Sequence, residues 1–208
     1  GGKTLEVEKR TKVKARTIAH SISTAISESE NVIIMGHKNI DIDAFGSALG
    51  IYRLSKTLEK DCYIVSEPKG KSLGKFLEIL QKEDEYKNVI LSENEVSDLI
   101  KPNSLLVVVD THKTSYVEFP ELLDKIERKI VIDHHRKAPD CIENVLISFH
   151  EVYASSSAEL VTEIVQYAQD DVQLTLLEAE SLYGGIMVDT KDFTFKTGVR
   201  TFEAAAYL

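Results

Sequence analysis

The stretch MGHKNIDIDAFGSALG, residues 35–50, decides how this chain folds. It follows the apolar run Val32-Ile33-Ile34, which reads as a buried strand, and it passes through a polar turn into the helix-like DAFGSALG. A strand handing over to a helix through a short turn is the repeating unit of α/β domains. The turn itself carries His37, Asp41 and Asp43 within seven residues.

The same alternation runs along the chain. Short apolar runs at 31–36, 62–66, 88–91, 104–109, 129–132 and 144–149 are continuous rather than alternating, which suits strands buried on both faces of a parallel sheet. Helical segments predicted at 43–59, 72–82, 93–100, 120–127, 157–169 and 175–190 separate most of them. The expected fold is therefore α/β: a doubly wound, mainly parallel sheet flanked by helices. Residues 1–30 read as a basic linker helix from a preceding domain, helical over 8–29, with Lys9, Arg10, Lys12, Lys14 and Arg16 on a solvated face. His20 there packs or faces solvent. Residues 31–208 form the principal unit. The PKGKSLG segment at 68–74 reads as an ordinary loop, since the spacing of a phosphate-binding loop is missing. Arg200 to Leu208 read as a helix still in progress, so the chain is expected to be cut from something longer.

Composition narrows the function. The 208 residues, 43% apolar, suffice for one well-packed α/β core. A net charge of -9 and a pI near 5.2 leave little basic surface for long nucleic acids, so a nucleotide ligand would be small or held through metal ions. Cys62 and Cys141 lack any paired spacing, which argues against a disulfide framework or a zinc knuckle and fits a reducing cytoplasm. No apolar run reaches the roughly 20 residues of a membrane span.

The opening pattern recurs at two further strand ends. Val107-Val108-Val109 runs into Asp110-Thr111-His112, and Ile130-Val131-Ile132 into Asp133-His134-His135-Arg136. Ligands of open α/β sheets bind beyond the carboxyl ends of the strands, so the three ends should converge. In the helix at 175–190, Leu182 and Ile186 mark the apolar face, and the next position on that face is Asp189. A buried carboxylate needs a cation, a donor or a proton. Asp41, Asp43, Asp110 and Asp189 carry four negative charges, which two divalent cations would balance. Asp41 and Asp43, two apart, would reach different ions, and Asp110 would bridge them. With His37 and His134 as nitrogen ligands, the mixed set favours Mn²⁺, Fe²⁺ or Co²⁺ over Mg²⁺.

Each cluster alone has a plainer reading. Asp41 or Asp43 suits a helix N-cap, Asp110 a turn, His112 an exposed surface position, and Asp133-His134-His135 a hydrogen-bonded turn. Ser156 with Glu159 forms a capping-box pattern, so Ser155, Ser156 and Ser157 stay outside the candidate site. The plainer readings leave the joint placement unexplained.

The segments GHKNIDIDAFGSALG, VVVDTH, VIDHHR and GIMVDT, in this order, resemble the four motifs of the DHH phosphoesterases. That superfamily includes RecJ-type exonucleases, family II inorganic pyrophosphatases, oligoribonucleases and cyclic-dinucleotide phosphodiesterases. The likeness runs from about residue 31 to 208. The first segment resembles the form found in GdpP-type cyclic di-AMP phosphodiesterases, where oligoribonucleases usually carry a proline-aspartate-glycine-aspartate run. The basic lead-in resembles the connector after a degenerate GGDEF domain.

The resemblance implies that His37, Asp41 and Asp110 hold one Mn²⁺ and that Asp43, Asp110, His134 and Asp189 hold the other. Asp110 and His135 would be the residues at the reacting centre. His135 would face the substrate phosphate, binding a non-bridging oxygen or protonating the leaving 3′-oxygen, and Asp133 would orient a neighbouring imidazole. The implied reaction is hydrolysis of cyclic di-AMP to linear 5′-pApA by a water activated between two ions. Short linear oligoribonucleotides or pyrophosphate are the alternative substrates, and an inactive nucleotide-binding fragment is the alternative role. The expected partners are cyclic di-AMP or a short linear dinucleotide, without long nucleic acid or direct membrane contact from this stretch, and with a homodimer left open. The resemblance also implies a cytoplasmic domain of a parent anchored in the membrane upstream, and a C-terminal, glycine-rich substrate-binding domain that this chain stops before.

Overall fold

The structure, a computed structural model, describes residues 2–67, 71–169 and 171–208, with only the backbone for 2–10, 71, 72 and 75. Among these residues the strands are β1 (Val32–Met35), β2 (Cys62–Val65), β3 (Ile90–Leu91), β4 (Leu105–Val109), β5 (Arg128–Asp133) and β6 (Ile147–His150). They form one sheet in the order β3-β2-β1-β4-β5-β6, and every pairing is parallel, as the continuous apolar runs predict. The helices are α1 (Gly2–Glu28), α2 (Ile42–Thr57), α3 (Lys71–Lys82), α4 (Glu93–Ser97), α5 (Glu121–Lys125), α6 (Ser157–Ala168), α7 (Leu176–Thr190) and α8 (Val199–Tyr207).

Strand periodicity divides the interior between the two faces. Val32 and Ile34 of β1 and Leu105, Val107 and Val109 of β4 point to one side, where α1, α2, α3, α6 and α7 supply the larger core. Ile33, Met35, Leu106 and Val108 point to the other, against Val96 near the end of α4 and Leu122 and Leu123 of α5. From Ala15 onward α1 belongs to this core, burying Ala15, Ala19, Ile22 and Ile26 at helical spacing. Its basic residues are also engaged: Lys12 pairs with Glu203, Lys14 with Glu151, and the Arg16 guanidinium lies 5.1 Å from the Tyr167 ring centre. His20 is exposed.

Two expectations change. The segment read as a loop over 68–74 is helical from Lys71, because Leu73, Leu77 and Leu80 recur on one face and are buried; Pro68, Lys69 and Gly70 lie outside the described residues. The strand expected at 144–149 runs instead from Ile147 to His150, since Asn144 turns the chain with φ of 54° and Leu146 stays exposed. No helix among the described residues is long and apolar enough to cross a membrane.

The chain leaves β1 for β2 on one side, while β4 pairs on its other side. The crevice between the carboxyl ends of β1 and β4 is therefore the topological switch point of the sheet, where such folds bind ligands.

Candidate metal centre

Asp110 follows directly on β4 at that switch point. Its N–H still donates to the carbonyl of Ile132 at 2.9 Å, but its φ of 62° lies in the left-handed region. That conformation costs a residue other than glycine roughly 1–2 kcal/mol, and aspartate is among those that tolerate it best. The turn places the buried carboxylate between two imidazoles: Oδ2 is 3.2 Å from His37 Nε2, and Oδ1 is 3.3 Å from His134 Nε2.

On the first side, His37 Nδ1–H donates to the carbonyl of Lys38 at 2.8 Å, which leaves Nε2 free as a ligand atom. Tyr116 stacks on the ring at 5.3 Å between centres. The segment that carries it is joined to β1's exit by Lys38 N–H to Tyr116 O and Glu118 N–H to Gly36 O. Asp41 serves twice: Oδ1 caps α2 by accepting Ala44 N–H at 2.9 Å, and Oδ2 faces His37 Nε2 at 3.5 Å. The capping and ligand readings of Asp41 are thus compatible.

On the second side, Asp43 is buried in the first turn of α2. It accepts Ser157 N–H at 3.0 Å and Ala158 N–H at 2.7 Å from the start of α6. His134 Nε2 lies 3.5 Å from Asp43 Oδ2 and 3.3 Å from Asp189 Oδ2 on α7. The approach of α7 depends on glycine: a Cβ at Gly46 would meet the carbonyl oxygen of Ser181 at 2.5 Å, and one at Gly185 would meet Ala158 Cβ at 2.9 Å and Asp43 Cα at 3.0 Å.

The electrostatics of this cluster call for positive charge. Burial, with Asp110 and Asp189 close by, raises the Asp43 carboxyl well above its ordinary range, and burial likewise raises Asp189. Burial opposes charge on His37 and on Asp110, but their attraction outweighs it, so His37 is pushed up to about 11 and Asp110 is held low. Both ring nitrogens of His134 are buried without a hydrogen-bond partner among the described residues, although Nε2 faces three carboxylates. Such an orphaned imidazole fits a divalent cation, as does a donor set of two imidazoles and four carboxylates. The residues fall into two candidate groups, His37-Asp41-Asp110 and Asp43-His134-Asp189.

Asp133, fully buried at the end of β5, accepts on Oδ1 from His134 N–H at 2.8 Å, His135 N–H at 3.3 Å and His135 Nδ1–H at 2.7 Å. The bond to Asp133 raises the imidazole of His135, whose side chain is 52% exposed at the edge of the crevice. Against burial, the bonds from His135 and His112 hold the Asp133 carboxyl below its usual range.

Three polar side chains at the site were outside the candidate set. Ser157 Oγ–H donates to Asp110 Oδ1 at 3.0 Å, while Ser156 Oγ caps α6 by accepting Glu159 N–H at 3.1 Å. The capping pattern was visible in the sequence, but the side chain following it had no local signal. His112, for which surface exposure was the plainer reading, is buried and bonded to Asp133. His150 lies opposite Asp133 in the β5–β6 register, a placement that a shifted strand boundary conceals.

A profile described as DHH family, N-terminal domain, matches residues 31–186. The cyclic-di-AMP phosphodiesterase GdpP of Bacillus subtilis is 44% identical over 210 residues, an alignment covering 100% of this chain and 32% of that protein. The chain thus spans about a third of that relative's length. Among solved structures, an exopolyphosphatase-related protein from Bacteroides fragilis superposes with a TM-score of 0.72 at 22% identity, covering 92% of this chain and 55% of that one. Exonuclease RecJ bound to manganese superposes with a TM-score of 0.55 at 16% identity, covering 93% and 46%. These two likenesses concern the fold.

Proposed function

We propose, because the chain belongs to the DHH family, that residues 31–208 form the catalytic unit of a metal-dependent phosphodiesterase that opens cyclic di-AMP to linear 5′-pApA. One observation carries the reading: the Asp110 carboxylate faces an imidazole with each oxygen, at the boundary of two His/Asp groups. The choice of substrate rests on the 44% identity to a cyclic-di-AMP phosphodiesterase that spans this whole chain.

His37, Asp41 and Asp110 would hold one cation, and Asp43, Asp110, His134 and Asp189 the other. The manganese-bound fold relative and the mixed nitrogen and oxygen donors favour Mn²⁺, with Fe²⁺ or Co²⁺ as alternatives. When bound, the pair supplies Lewis acidity to the phosphate oxygens and an acidified water for attack on phosphorus. The chain's own residues do the rest. His135, held through Nδ1, would have Nε2 left to donate to a phosphate oxygen or to protonate the leaving 3′-oxygen when the ring carries both protons. Asp43, fixed by two amides of α6, keeps its oxygens aimed at the centre without reorganisation.

The test is to supply the chain with Mn²⁺ and compare initial rates on cyclic di-AMP, pApA and pyrophosphate. Cyclic di-AMP opened fastest, with no turnover after chelation, is the expected result. Faster turnover of pApA or pyrophosphate would move the chain to a sibling activity of the superfamily. Bound Mn²⁺ with no hydrolysis of any of the three would make this stretch a binding unit.

A further inference from the structure

We propose that His112 is a positioning residue: it clamps the loop from His134 to Ala138 and, through Asp133, fixes which ring nitrogen of His135 is presented to the phosphate. The inference deepens the reading of this site given above and rests on it.

The ring of His112 is buried and both of its nitrogens are engaged. Its Nε2 accepts the Ala138 N–H at 2.9 Å, so the ring proton sits on Nδ1, which donates to Asp133 Oδ2 at 2.5 Å. Its carbonyl accepts Ile142 N–H at 2.8 Å, which ties the same residue to the far side of the loop. One imidazole therefore grips both ends of the segment that carries His134 and His135.

Asp133 passes the constraint on. Its Oδ1 receives His135 Nδ1–H, so the neutral ring is the Nδ1–H tautomer, and Nε2 is the nitrogen left for the substrate, donating to it when the ring carries both protons. The terminal torsion of an aspartate is broad, so a carboxylate tethered through one oxygen can rotate. The bond from His112 to the other oxygen removes that freedom. The side chain of His135 is half exposed on irregular chain beyond the sheet, with its ring against that of His134 at 4.3 Å between centres. His150, whose ring centre is 4.6 Å from that of His112, reaches the His135 carbonyl with Nε2 and buttresses the same loop. Although His112, Asp133 and His150 together could form a cation site, His112 has no free nitrogen to contribute to one.

The readout is the tautomer of neutral His135, followed by long-range ¹H–¹⁵N imidazole spectra on the metal-free chain, so the result does not depend on turnover. In the unsubstituted chain His135 should be a single Nδ1–H form. His112→Ala should give averaged signals from both tautomers, as should Asp133→Ala. His112→Asn, whose amide can replace the Nδ1–H donor, should keep the single form, whereas His112→Gln, which mimics only Nε2, should not. If His112→Ala unfolds the chain, the Asn and Gln pair decides. An unchanged tautomer in the Ala variant, identical behaviour of the Asn and Gln variants, or no change on Asp133→Ala would each overturn the proposal. Absence of phosphodiesterase activity from the unsubstituted, Mn²⁺-supplied chain, with the tautomer pattern as expected, would instead count against the assigned reaction.

Discussion

Asp110 combines three features that a structural turn does not need together: left-handed backbone, burial, and one imidazole per carboxylate oxygen. Asp110→Asn keeps the shape and removes the charge. Calorimetric titration with Mn²⁺ should then show at most one ion per chain where the unsubstituted protein takes two, with the circular dichroism spectrum unchanged. Two ions bound with undiminished affinity would refute the bridging role. Ser157 donates to the same carboxylate, on the oxygen that faces His134. Removing its hydroxyl in Ser157→Ala should weaken the ion held by Asp43, Asp110, His134 and Asp189 by about 10–100-fold, while stability falls by about 1.5–3 kcal/mol. Ser157→Thr should restore the affinity. Equal weakening of both ions, or none, would assign the hydroxyl to packing alone.

At the scale of elements, the centre depends on how closely α7 approaches α2 and α6. The contacts that a Cβ at Gly185 would make with Ala158 and Asp43 involve backbone and a short side chain, which cannot swing aside. Gly185→Ala should therefore cost about 1–3 kcal/mol in a denaturant titration. It should also lower Mn²⁺ affinity, because Asp189 moves away with the helix. Helix α8 is fastened to α6 by Arg200, whose Nε and Nη2 donate to Glu163 at 2.9 and 2.7 Å in a mostly buried pair. Burial raises the Glu163 carboxyl, and Arg200 opposes that rise. Arg200→Ala leaves a buried, unpaired carboxylate, so about 3 kcal/mol of stability should be lost at neutral pH. In the variant the folded-state value of Glu163 rises further above the unfolded one. The deficit should therefore be small below the ordinary carboxyl range and should grow as pH rises through the raised value. Denaturant midpoints of variant and parent at pH 5 and pH 8 test this, and a deficit larger at pH 5 would contradict it.

For the molecule as a whole, four converging carboxylates in a chain of net charge -9 mean that cations should stabilise the fold as well as the chemistry. Mn²⁺ at a hundredfold excess over its dissociation constant should add about 2.7 kcal/mol per site, or roughly 5–10 °C in Tm for a chain of this size. The Asp110→Asn variant should show much less of the shift. The parallel sheet and its flanking helices were legible in the sequence because a strand buried on both faces must be apolar at consecutive positions, a local property. The ends of β1, β4 and β5 and the acid on the apolar face of α7 were legible for the same reason: each departs from a local pattern. Strand and loop limits were less so, as the helical start at Lys71 and the later start of β6 demonstrate, since whether Leu73 joins the core and whether Asn144 turns left-handed are settled only when the segments pack. Ser157, the burial of His112 and the placement of His150 opposite Asp133 arise from packing between segments separated by tens of residues. The sequence alone thus determined the α/β architecture and the residues carried to one edge of the sheet, because hydrophobic periodicity and turn chemistry act between neighbours. Tertiary structure alone decided which carboxylate oxygen meets which imidazole and what holds each in place, because those distances exist only once the helices have packed.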